Sequence, residues 1–178
     1  AGRERLSGSF FPPKDTSVYM SLLLRPRNYS AKQAVRITTM AAVAICEAIE
    51  AVSDEKAEIK WVNNVFACGK KVCGILTEGS FNLESDLLDY ACLELKSTFI
   101  SRSMDFQINC LLLLELFFMK NKMMSKNRLV SAFLNRFYDY YFDTDQMNYM
   151  EQYRNRNFVM CKQVALMSLN ESKRLLSV

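Results

Sequence analysis

An α+β fold, a mixed β-sheet flanked by helices, is predicted by three features of this sequence. Short segments rich in β-formers and bounded by turn residues lie at 18–24, 59–66, 71–78 and 88–93. A helical apolar period runs from residue 30 to about 52, and a second helical region starts at Lys126. With 178 residues, half of them hydrophobic, the chain can bury one sizeable core but not two, so residues 1–178 are expected to form a single domain.

Taken in order, residues 1–17 hold Gly2, Gly8, Pro12 and Pro13 among polar residues, which resists regular structure and suits a loop that covers a ligand. The segment 18–24 then reads as a strand. Ser30-Ala31-Lys32-Gln33 is a capping-box pattern, and Val35, Ala42, Ile45, Ile49 and Val52 continue it at helical spacing, giving a helix that covers one face of the sheet. Ala67-Cys68-Gly69-Lys70 is the turn between strands 59–66 and 71–78, and Asn82 to Asp86 form a polar turn before 88–93. The apolar run 108–119 contains Asn109 and Glu115 and falls short of the roughly 20 residues of a membrane span, so it reads as a buried helix or strand. Leu129, Phe133, Phe137 and Tyr140 recur at three or four residues, and Asp145 opens a further helix through Met147, Met150 and Tyr153. These aromatics form the stripe that a helix needs against a core. No repeat or heptad array is present.

Composition narrows the chemistry. The sequence has no histidine, which removes Ser-His and Cys-His nucleophilic centres and histidine-liganded metals. Its net charge of +4 comes from scattered residues, which makes nucleic acid an unlikely main partner and leaves room for an anionic nucleotide or an acidic carrier surface. Six cysteines, at 46, 68, 73, 92, 110 and 161, show no Cys-x-x-Cys spacing and read as reduced core residues of a cytoplasmic protein. Cys68, near Lys70 and Lys71, is the one candidate for a reactive thiol. No secretory signal opens the chain, and a start at Ala1 rather than methionine suggests a partial protein.

Lys60-Trp61-Val62-Asn63-Asn64, followed after the turn by Lys71-Val72-Cys73-Gly74-Ile75-Leu76-Thr77-Glu78, is the strongest candidate site. Lys60 lies in an apolar segment beside a glycine-containing strand. If it is buried at a sheet edge, its ammonium needs an anion, and a bound carboxylate or phosphate would supply one. The alternative is a lysine that snorkels to water.

Together with Gly2-Arg3-Glu4-Arg5-Leu6-Ser7-Gly8-Ser9-Phe10, these segments resemble the biotin protein ligase catalytic domain. That family has a Gly-Arg-Gly-Arg-x-Gly loop, a Lys-Trp-(Pro/Val)-Asn-Asp segment and a Gly-Ile-Leu-x-Glu strand. Tyr19 to Pro26 look like the family's strand after the loop, and Leu134 to Tyr141 like its late helix, so the resemblance spans residues 1–92 and resumes near 129–164. Departures are Glu4 and Ser7 for two loop glycines, Asn64 for the aspartate, and Glu94-Leu95-Lys96-Ser97-Thr98 for a Gly-x-Gly-x-Asn segment. The family's N-terminal strand segment and its C-terminal small β-barrel fall outside the chain.

The resemblance implies the fold shared with class II aminoacyl-tRNA synthetases and ATP-dependent formation of biotinyl-5'-adenylate, with transfer of biotin to a lysine of a carboxylase carrier domain. It implies ATP, biotin and Mg2+ as cofactors and the biotin carboxyl-carrier domain as partner, with a homodimer possible and no membrane association. Lys60, Arg3 and Arg5 take the catalytic roles by this resemblance. Ligand contacts fall to Gly2, Arg3, Arg5, Lys60, Asn64, Gly74, Ile75 and Leu76, and no metal ligand is assigned. A catalytically inactive relative that binds biotin, a carrier or its own copy is the second reading, and a lipoate protein ligase-like enzyme a lesser one.

Overall fold

The computed structural model describes residues 17–27, 29–53, 55–98, 122–143, 148–160, 162–168 and 171–177. Residues 1–16 of the expected loop 1–17 and the apolar run 108–119 lie outside them. In chain order the elements are β1 (Ser17–Leu24), α1 (Ala31–Val52), β2 (Ala57–Lys60), β3 (Asn64–Ala67), β4 (Lys70–Asn82), β5 (Leu87–Thr98), α2 (Lys122–Phe142), α3 (Asn148–Arg156), β6 (Gln163–Ser168) and β7 (Glu171–Ser177). Five strands form one sheet in the order β1-β5-β4-β3-β2, and β6 and β7 pair separately.

The α+β class is as expected, but every pairing within the five-stranded sheet is antiparallel where a mixed sheet was anticipated. The cause is local. Three consecutive pairs are joined by turns of two to four residues, and such short connections can join only antiparallel strands. At Cys68-Gly69 both φ angles are positive, 52° and 71°, the left-handed pair that matches the twist of a two-residue hairpin. The turn before β5 is also where it was predicted, with Asn82 Oδ1 accepting the Glu84 and Ser85 amides at 2.9 and 3.1 Å.

The predicted strand 59–66 is two strands. A turn at 61–63 folds β3 back on β2, so that Ile59 faces Val65 and both are fully buried. A single strand through this segment would send Ile59 and Val65 to the same face only by losing Trp61 and Asn63 into the core with them. Instead Trp61 stays exposed.

Helix α1 begins as its sequence predicts. The Gln33 side chain accepts the Ser30 amide at 2.9 Å, and the capping box is complete. Its role exceeds the prediction, because α1 is packed by the sheet on one side and by α2 and α3 on the other. Hence Ile37, Met40, Ala41, Ala42, Val43, Ala44, Ile45, Cys46, Ala48 and Ile49 are all buried. The alanines allow both layers to approach the helix axis closely. Leu129, Phe133 and Phe137 of α2 and Tyr149 and Tyr153 of α3 complete the outer layer. Residues 144–147 lie outside the description, and α3 is seen from Asn148. Among the described residues no helix is long and apolar enough to cross a membrane.

Gly79 has a packing role that its place on the sheet explains. A Cβ added there would lie 2.7 Å from Leu88 Cδ1 and 2.9 Å from the Tyr90 carbonyl oxygen, and the second contact is with backbone. Gly79→Ala is expected to destabilise the fold by about 1–3 kcal/mol through overpacking, read as a lower urea midpoint at unchanged slope.

Candidate ligand site on the open face of the sheet

Helix α1 covers the face that carries Ala91, Leu93, Leu95, Cys73 and Ile75, all buried. Side chains alternate along a strand, so Gly74, Leu76, Glu94 and Lys96 belong to the opposite face. The register aligns Lys60, Asn64, Gly74, Lys96 and Tyr19 in one row across all five strands. Leu76, Glu94 and Ser21 form the next row, about 7 Å along the strands.

Lys60 ends β2 and is exposed, not buried at an edge as expected. Its neighbour Ile59 takes the inward position, and strand alternation turns Lys60 toward water, the snorkelling alternative. Lys71 instead lies over the row. Its Nζ and Cε are each 3.4 Å from where a Cβ of Gly74 would be, and Asn64 Oδ1 is 4.0 Å from the same point. The missing side chain at Gly74 therefore leaves room beneath an ammonium and beside a carboxamide. Sequence reasoning passed over Lys71. Strict alternation would turn Lys71 to the face opposite Gly74, and the irregularity in the β3–β4 register between Val65 and Phe66 brings it to the same side.

Asn63 was also passed over, and it fixes the turn. Its Nδ2 donates to the Ile75 carbonyl at 2.7 Å, while the Ile75 amide donates to the Asn63 carbonyl at 2.9 Å. Asn64 Nδ2 in turn donates to Asn63 Oδ1 at 3.2 Å. Ile75 meets this face only through its backbone, since its side chain is in the core. Leu76 is half-buried on the open face. At the far end of the row the Lys96 ammonium sits 5.7 Å from the Tyr19 ring centroid, a cation–π distance. Gly2, Arg3 and Arg5 lie outside the described residues. Of the nominated residues that are described, Lys60, Asn64, Gly74 and Leu76 share one face.

Among the described residues, Cys92 alternates with buried Ala91 and Leu93 and lies half-buried on this face, whereas Cys46 and Cys73 are buried in the core. Cys46, Cys73 and Cys92 are free. Burial pushes the Cys73 thiol up to about 12 against the opposing charge of Lys71, and burial raises Cys46 further. Cys68 is disulfide-bonded, which overturns the expectation of a reduced, reactive thiol there. A separate cavity of about 1090 Å³, lined by Leu22, Leu24, Arg25, Tyr29, Tyr138 and Phe142 among others, involves none of the nominated residues. Among the described residues, no group of three or more His, Cys, Asp or Glu side chains is placed to hold a metal ion.

The fold is α+β, with Lys60, Lys71 and Lys96 on one open face of its antiparallel sheet. Residues 1–91 match the model of the biotin/lipoate A/B protein ligase family, and the chain belongs to that family. It is 40% identical over 78 residues to the bifunctional ligase/repressor BirA of Bacillus subtilis, a stretch that is 44% of this chain and 24% of BirA. The chain thus spans about a quarter of the length of the curated relatives it matches. Its fold is similar to that of the biotin protein ligase of Aquifex aeolicus in complex with biotin and ATP, with a TM-score of 0.61 at 15% identity over 91% of this chain and 66% of the other. A biotin protein ligase-like protein of unknown function from Silicibacter sp. gives a TM-score of 0.64 at 10% identity, covering 90% and 78%.

Proposed function

We propose that this chain carries the adenylate-forming site of a biotin protein ligase. The observation that carries the reading is the Lys71 ammonium held over Gly74 beside Asn64, with Lys60 at the end of the same row. The biotin carboxylate attacks the α-phosphorus of ATP, a P–O bond forms, and pyrophosphate leaves. Two anions must meet, so the site contributes fixed positive charge and alignment rather than a nucleophile. Lys71 offers its ammonium to the reacting oxygens, and Lys60 adds a second cation from the solvent side. Arg3 and Arg5 fit the same task, since a guanidinium grips phosphate oxygens through two hydrogen bonds. In the second step a neutral lysine amine of a carboxylase carrier domain attacks the acyl carbon. AMP leaves with the electron pair, and the amine loses a proton to water.

ATP and biotin are substrates here. Mg2+ would ride on the phosphates of the nucleotide and on water, as it commonly does. The carrier domain is the proposed macromolecular partner, the cytoplasm the proposed setting, and a homodimer an added possibility of the same reading. Glu94 and Lys96 favour a second reading, a catalytically inactive relative that still binds ligand. Both project onto the open face, in the row with Gly74 and the next. Pyrophosphate exchange decides between them. Biotin-dependent incorporation of labelled pyrophosphate into ATP supports the ligase, and its absence from a folded sample that binds biotinyl-adenylate analogue supports the inactive relative.

A further inference from the structure

The outer edge of β2 is closed by one short stretch of chain. β2 is the last strand of the sheet, so its outward carbonyls have no strand to meet them. Two donors from residues 153–158 meet them instead, and a third reaches the turn that follows β2. Arg156 Nη1 donates to the Ala57 carbonyl at 3.4 Å, the Phe158 amide to the Ile59 carbonyl at 3.1 Å, and the Tyr153 hydroxyl to the Val62 carbonyl at 3.1 Å. Asn157 bridges to Ile59 in a parallel sense, and the Phe158 ring meets Phe66 edge-on at 5.5 Å.

The stretch is itself anchored to the central helix. Arg156 Nη1 and Nη2 grip the two Glu50 carboxylate oxygens at 2.5 and 2.9 Å, and Glu50 Oε1 also accepts the Ala57 amide at 3.1 Å. Burial alone would raise the Glu50 carboxyl, but its bonds to Arg156 and to the Ala57 amide bring it below its ordinary value. Burial pushes the Tyr153 phenol up to about 12, against the influence of the neighbouring Asn157 amide. The phenol is therefore a protonated donor to the Val62 carbonyl at neutral pH.

We propose that Tyr153 is a positioning residue for the open-face site. Its hydroxyl holds the Val62 carbonyl, and so sets the turn whose next residue, Asn63, bonds both backbone groups of Ile75 and whose preceding residues place Lys60. The outer layer of the fold thereby fixes the geometry of a site on the far side of the sheet. This rests on the open face being the ligand site, and the experiment separates the two claims.

Trp61, the only tryptophan in the sequence, sits in this turn and reports on it without any ligand. Tyr153→Phe, made in the full chain, removes one hydroxyl and keeps the ring. It should make Trp61 more accessible to acrylamide and lower affinity for a biotinyl-adenylate analogue by about 2- to 10-fold, the range of one hydrogen bond. Tyr138→Phe, on the exposed face of α2, should change neither. Unchanged Trp61 quenching in Tyr153→Phe overturns the proposal, as does looser quenching with undiminished affinity. If wild type binds no analogue, the open-face reading fails, and quenching alone then decides whether Tyr153 holds the turn. Should the variant not fold, amide exchange in wild type reads the same contact. The Phe158 and Ile75 amides should open together, and independent opening overturns the clamp.

Discussion

Phe133→Ala is expected to cost about 3–5 kcal/mol of folding stability, the upper range for deleting a buried aromatic. Phe133 is fully buried and stacks on Phe137 at a ring separation of 5.6 Å, in the layer where α2 packs on the central helix. Truncation removes the ring and leaves a cavity that neither helix can close, because α1 is held on its other side by the sheet. Most single domains are stable by only about 5–15 kcal/mol, so this change should consume a large part of the total. Urea unfolding followed by far-ultraviolet circular dichroism measures it. Tyr138→Ala, one residue type larger but 62% exposed on the same helix, should shift stability by about 0.5 kcal/mol or less. Comparable losses from both would mean that α2 does not pack through the Phe133 face.

What the sequence discloses and what it conceals divide along the range of the forces involved. The Ser30–Gln33 cap, the two-residue turn at Cys68-Gly69 and the Leu129-Phe133-Phe137 stripe are set by residues within a few positions of one another, and each was legible. The turn at 61–63 was not. It contains no glycine or proline, and it is held by Ile75 and Tyr153, which are 12 and 91 residues distant from their partners in the chain. A segment of β-formers broken by such distant bonds looks continuous when read alone. The central position of α1 was hidden for a similar reason. Its apolar positions imply one buried face, and only the packing of α2 and α3 explains why Ala41, Ala42 and Val43 are all buried in succession.

The site shows the same division. Lys60, Asn64 and Gly74 were legible as a group through their motifs, and the register brings them into one row. Which lysine stands over the row was not, because the register irregularity between β3 and β4 at Val65–Phe66 turns Lys71 onto this face against simple alternation. The Gly-Arg-x-Arg segment at 2–5 lies outside the described residues. The open face also holds two residues whose presence the motifs did not prepare for in three dimensions, Lys96 beside Tyr19 and Glu94 opposite Ser21. Both come from the strand on which the family's glycines are replaced.

Lys71→Ala should lower affinity for a biotinyl-adenylate analogue by about a hundredfold, near 2.7 kcal/mol, while Lys60→Ala should lower it by about tenfold or less. The order follows from position. Lys71 lies over Gly74 within reach of Asn64, where a ligand's phosphate or carboxylate would displace water from its ammonium. Both ammonium groups are exposed, so the attraction of each is screened by salt, and that of Lys60, at the row's end and away from Gly74, should fade more between low and physiological ionic strength. Lys71→Arg should recover only part of the loss, since a planar guanidinium does not fit the place of a compact ammonium. Gly74→Ala tests the same geometry from below. Its methyl would meet the Lys71 ammonium at 3.4 Å, an ordinary contact, and raise the floor on which a ligand would lie, so affinity should fall with Lys71 intact. Both lysines are exposed, and their removal should leave stability within about 0.5 kcal/mol, which keeps binding and folding separable. Isothermal titration at two salt concentrations measures all four variants. If Lys60→Ala proves the more damaging at both, the ligand lies along the β2 edge, and the row above Gly74 is not its anion-binding centre.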